Sequence, residues 1–132
     1  MFDWTSVNWL AVVAAAGVGL LIGIIWYAPP LFGRLAPGAG IRLPKPTPPT
    51  AAASAGIVLL TAYVLALFER AIGASSVADG ALVGGIGWLG FMLTGALSNA
   101  VFEKRSAQYV AITAGQLLLS LVVMGAIIGA WR

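Results

Sequence analysis

An all-α integral membrane four-helix bundle is the fold predicted by this chain of 132 residues. Three observations predict it. Hydrophobic residues make up 61% of the chain and charged ones only 8%, against about a quarter charged in soluble domains. Four long stretches, 7–27, 50–68, 80–101 and 109–130, contain no Asp, Glu, Lys, Arg or Pro. All seven prolines fall between Pro29 and Pro49, so the segment 28–49 reads as a connection and no proline interrupts a span.

The first stretch, Val7 to Tyr27, has 21 residues and would rise about 31 Å as a helix, the thickness of a hydrocarbon core. It reads as a retained span rather than a cleaved signal, because it lacks a basic n-region and runs into Trp26-Tyr27 instead of a small-residue cleavage site. The connection 28–49 is expected to be extended and polyproline-like where prolines are dense, with Gly38 and Gly40 as turn points. It serves either as a stiff connector held near lipid or as a dock for a partner. The other three spans are joined by two shorter connections, the last centred on Glu103-Lys104-Arg105. Lipid offers the backbone no hydrogen-bond partner, so each span must satisfy its own polar groups as a helix. The alternating pattern of a β-barrel is absent. The whole is expected to form one transmembrane domain.

Charge then sets the expected orientation. Arg34, Arg42, Lys45, Lys104 and Arg105 lie on the first and third connections, against Arg70 and Arg132 on the other side. The positive-inside bias places the five in the cytoplasm, beside anionic lipid headgroups, and both termini in the periplasm. Trp4, Trp9 and Trp131 would mark the outer interface, and Trp26, Tyr27, Phe102 and Tyr109 the inner one. Trp88 lies inside its span, so its indole N–H is expected to face another helix. Glu69-Arg70 and Glu103-Lys104-Arg105 are expected at interfaces, where long side chains snorkel and call for no functional explanation. The net charge of +3 is read as a lipid preference and not as nucleic-acid binding.

Function classes fall away with the missing residues. With no cysteine and no histidine, disulfide frameworks, thiolate catalysis, common zinc sites and histidine-ligated haem are excluded. Acid–base catalysis needs a positioned titratable pair, and the only acids are expected at the interfaces. The chain is therefore read as non-enzymatic, with no catalytic, cofactor or metal site. What remains is contact surface. Helices in lipid associate through small residues and a few buried polar groups. Ala11, Ala15, Gly19 and Gly23 recur at four-residue spacing on the first span, with Asn8 on the same face. On the third span Gly80, Gly84, Gly87, Gly90, Thr94 and Ser98 share one sector at 100° per residue. The fourth carries two faces, Thr113, Gln116 and Ser120 on one and Ala111, Gly115, Gly125 and Gly129 opposite. Asn99 sits near the inner end of the third span and Gln116 near the middle of the fourth, where a single amide serves as helix–helix glue.

Several pieces of sequence carry a likeness. They are Val7-Asn8-Trp9-Leu10-Ala11-Val12, Trp26-Tyr27-Ala28-Pro29 with Leu31-Phe32-Gly33, and Trp88-Leu89-Gly90-Phe91. A last block runs from Ser98-Asn99 and Phe102-Glu103 to Ser120-Leu121 and Met124-Gly125-Ala126-Ile127. In these the chain resembles an uncharacterised family of small bacterial membrane proteins, domain of unknown function 1761, with Pro44 to Pro49 outside the likeness. The resemblance implies a four-span protein of the bacterial inner membrane and transfers no catalytic residue.

The expected function is that of a structural or accessory inner-membrane protein. Its small-residue faces would pack on its own copies or on subunits of a larger energy-transducing or transport assembly. The alternative is a small homo-oligomeric channel or uncoupled transporter lined by Thr94, Ser98, Asn99 and Gln116. Two designs of similar size do not fit. Small multidrug-resistance transporters carry a glutamate in their first span, and Val7 to Tyr27 has no acid. The glycine-and-arginine motif of fluoride channels is not found either.

Overall fold

The computed structural model describes residues 3–41 and 47–131. Those residues form helices and turns only, and four helical rods are long and apolar enough to cross a membrane. The rods are α1 (Trp9–Trp26), α2 (Pro48–Ile72), the combined rod α3 (Val77–Gly87), π turn (Trp88–Leu93) and α4 (Thr94–Glu103), and α5 (Ala107–Ala130). The molecule is apolar on its outside, with Phe102 at 84% and Phe91 at 76% exposure, which suits a surface solvated by lipid chains.

Each rod begins on a side chain that takes up orphan backbone N–H groups. The Asn8 carboxamide oxygen accepts from Leu10 and Ala11, Ser76 from Asp79, and Ser106 from Tyr109. Thr47 and Thr50 form a reciprocal box at the start of α2, with Pro48 and Pro49 in its first turn. Those prolines, expected in the extended connection, begin the helix, because the first turn has no use for their missing N–H. α2 then continues past Phe68 to Ile72 and stops at Gly73, whose φ of 85° closes the helix by returning its N–H to the Glu69 and Arg70 carbonyls. The connection after α1 is compact where described. A π-type turn, Pro29–Gly33, folds so tightly that a Cβ on Gly33 would meet the Tyr27 carbonyl, and a 3-10 turn, Pro37–Ala39, leads to Gly40 at φ 84°.

α5 is the hub. It packs along α3, along α1 and, over a shorter length, along α2. Its seam with α3 is backbone on backbone. A Cβ on Gly80 would collide with the Gly125 carbonyl, one on Gly84 with the Leu121 carbonyl, one on Gly125 with the Gly80 carbonyl and one on Gly129 with the Ser76 carbonyl. Only glycine permits that approach, which is how helices gain dispersion contact in a solvent as apolar as themselves. Beside the seam lies a dry core of Val12, Ala15, Ala62, Leu65, Leu121, Met124 and Ile128.

The glycine stripe expected on one face of the third span is split in the structure. Gly80 and Gly84 are buried against α5, whereas Gly87 and Gly90 have nothing within 4 Å of a Cβ position. The split falls between Gly84 and Gly87, inside α3, and the π turn at Trp88–Leu93 follows it and contains Gly90. Each residue of a π turn advances the helix by less than in an α-helix, so Thr94 and Ser98 no longer face where a uniform helix would point them. α4 has no buried residue.

Candidate functional site

Polar groups inside the bundle gather in two places, one at the end holding the termini and one in the half nearer the connector. At the terminus end, α2 presents Ala62, Leu65, Ala66 and Glu69 as one buried stripe, and Glu69 is 0% exposed. This corrects the expectation that Glu69 snorkels at an interface. Its neighbour Arg70 takes the exposed position and donates from Nε to the Ser6 carbonyl, while Glu69, a hundred degrees around the helix, turns inward. The Glu69 Oε1 atom reaches the glycine seam, 2.7 Å from a Cβ position on Gly80 and 3.1 Å from one on Gly129. A cavity of about 30 Å³ adjoins it, walled by Val7, Asn8, Ala66, Ile128 and Trp131, room for a single water.

The chain's ends close over this carboxyl. The Asn8 Nδ2 donates to the Trp131 carbonyl at 2.9 Å, tying the start of α1 to the end of α5. Tyr63 donates its hydroxyl to the Trp4 carbonyl at 2.7 Å and stacks on Trp9 with centroids 5.0 Å apart. Farther out, the Thr5 hydroxyl and amide donate to Asp3 and hold its carboxyl below the usual carboxylate range.

In the connector half, the Gln116 Nε2 donates to the Ser120 hydroxyl oxygen at 2.9 Å and lies 3.6 Å from a Cβ position on Gly23. Gln116 also borders a groove of about 540 Å³ between α1 and α2, whose walls include Gly23, Tyr27, Thr50, Ser54 and Val58. Two indoles pin the neighbouring helices to α5: Trp26 donates to the Ile112 carbonyl at 3.0 Å and Trp88 to the Ala114 carbonyl at 2.7 Å. Gly115 accommodates the Trp26 ring, 3.2 Å from its Cβ position. Leu65, Met124 and Ile128 of the dry core stand along the helices between Gln116–Ser120 and Glu69.

The remaining sequence-derived positions scatter. Ala11 and Ala15 are fully buried, and Gly19 meets Met124 and Val58. The four residues expected to line a common path do not meet: Gln116 faces α1, while Thr94, Ser98 and Asn99 are exposed on α4. Thr94 and Thr113 each return a hydroxyl to a carbonyl of their own rod, Gly90 and Tyr109. Such local bonds satisfy the hydroxyl without any partner helix. Arg34 and Lys104 are exposed, and Arg42 and Lys45 lie outside the described residues. Arg105 bridges elements, with Nε 3.4 Å from Glu103, Nη1 3.2 Å from the Gly40 carbonyl and its guanidinium 4.8 Å above the Tyr109 ring. Glu69 is the functional candidate that sequence reasoning passed over. Its signal was periodic: positions 62, 65, 66 and 69 fall on one helical face.

These features define a multi-pass membrane bundle of four spans, sealed at one end and grooved toward the other. The chain belongs to the family described as "Protein of unknown function (DUF1761)", whose model matches residues 10–129. No curated protein and no solved structure matches it.

Proposed function

We propose that the protein is a non-catalytic accessory subunit of the bacterial inner membrane, with its connector in the cytoplasm and both termini in the periplasm. The α3–α4 rod would dock against another membrane helix. The observation that supports this reading is the open half of the glycine stripe. Gly87, Gly90 and Gly95 have nothing within 4 Å of a Cβ position, and farther along the same rod Thr94 and Ser98 are exposed on α4, which has no buried residue. Gly80 and Gly84, on the same rod, show how closely a helix can approach such a surface. The five basic residues of the connections support the orientation.

The chain has no cysteine, so a single Ser98→Cys substitution places one reporter on the open face. Treating native membranes with a short thiol-to-amine cross-linker should give one discrete adduct, whose mass identifies a second copy or a different subunit. Adding Gly90→Leu should abolish it. A protein that stays monomeric and forms no adduct in native membranes would overturn the reading.

A further inference from the structure

The groove between α1 and α2 has a chemistry that an accessory role does not use. It opens sideways from the bundle between two spans, so its contents come from the bilayer. From Tyr27 to Gly19 it extends eight residues along α1, about 12 Å, comparable to the depth of one leaflet. None of the described residues bordering it carries a charge, so none of them answers a phosphate or a carboxylate. Its polar groups are able to donate: the Tyr27 phenol, the Ser54 hydroxyl and the Gln116 carboxamide.

Gln116 is the informative member. It lies about one helical turn, roughly 6 Å, deeper than the aromatic level of Trp26 and Tyr27. One of its amide hydrogens serves Ser120. The other, and the carboxamide oxygen, have no further hydrogen bond to the described residues. An acyl chain passing this point would leave both unanswered, and a phospholipid whose headgroup stays at the aromatic level holds its oxygens too high. The occupant that answers Gln116 carries a compact, uncharged, acceptor-rich head below the interface and an apolar tail that can leave sideways into the bilayer.

We propose that this groove binds a membrane quinone, with a ring carbonyl accepting from Gln116 and the isoprenoid tail running along α1 and α2 into lipid. The inference goes beyond the accessory reading and is independent of the α4 face.

The test uses the full chain in phospholipid nanodiscs, with a benzoquinone bearing a short isoprenoid tail and a photoreactive group. Bound positions are mapped by mass spectrometry. Labelling should saturate and fall on peptides of α1, α2 and α5 that border the groove. Gln116→Leu should weaken it by about tenfold, the size of one good hydrogen bond in an apolar site. Ser54→Phe, at an exposed wall position, should block it while leaving Gln116 and the core intact, which keeps the test informative if Gln116→Leu perturbs packing. Non-saturating labelling spread over the lipid-facing surface would overturn the proposal. So would unchanged labelling in both variants, or equal competition by diacylglycerol.

Discussion

The two halves of the bundle solve the same packing problem with opposite means. At the terminus end α3 and α5 touch through backbone, with glycines at 80, 84, 125 and 129 bringing carbonyls against Cα atoms and enclosing the Glu69 carboxyl. In the connector half the helices stand apart. The first three turns of α2 have no buried residue, α4 has none, and contact depends on indoles reaching across to α5 carbonyls. Hydrophobic burial cannot discriminate between these arrangements, because lipid is as apolar as the helices. The difference comes from side-chain size at the contact: glycine lets the first half close, and tryptophan holds the second half at a distance while keeping it attached.

The sharpest way to break this contrast is to put a side chain into the closed half. Gly80→Val should displace α3 from α5, because its Cβ would collide with the Gly125 carbonyl, a backbone group that shifts only with the helix that carries it, and would crowd the Glu69 carboxyl. The expected loss is at least about 3 kcal/mol, read as failure to accumulate or early unfolding in mixed detergent micelles. Accessibility gives a second large difference. A water-soluble carbodiimide with an amine should modify exposed Asp79 and Glu103 in the folded protein and spare Glu69, which is fully buried. Modification of all three at equal rates by peptide mapping would show that the terminus end is open.

Smaller losses separate capping from pinning. Asn8→Ala removes both the N-cap of α1 and the tie to Trp131, a loss of about 1.5 kcal/mol in the same unfolding assay. Trp88→Phe keeps an aromatic ring, smaller than the indole, and removes one N–H donor. The Ala114 carbonyl retains its intrahelical partner, so nothing is orphaned and the loss should be about 1 kcal/mol or less.

How much of this was readable beforehand follows from the same physics. Four spans were legible because the charges and prolines sit where the helices end. The closed seam was legible as a pattern of small residues, but which glycines it would use was not. A period of 3.6 puts Gly87 on the face of Gly80 and Gly84, but it does not say how far α3 stays against α5, and that close contact ends before Gly87; the π turn at Trp88–Leu93 then shifts the face for Thr94 and Ser98. Glu69 was legible by periodicity and was missed through its charge: an acid beside Arg70 reads as interfacial, yet neighbouring positions on a helix face directions a hundred degrees apart. The groove was not legible at all. It depends on how far α1 and α2 diverge, which neither span encodes alone.

The finest test of the contrast uses one chemical change at two positions three residues apart. At Gly84 an added methyl group collides with the Leu121 carbonyl, whereas at Gly87 it meets nothing within 4 Å. Gly84→Ala should therefore destabilise by about 2 kcal/mol. Gly87→Ala should be neutral or stabilising by up to about 1 kcal/mol, since alanine loses less backbone freedom in a helix than glycine. Opposite signs in parallel unfolding curves would place the boundary between the closed and open halves within a single turn of α3. Equal losses at both positions would mean that a neighbour covers Gly87 in the membrane, and the Ser98→Cys cross-link would then identify it.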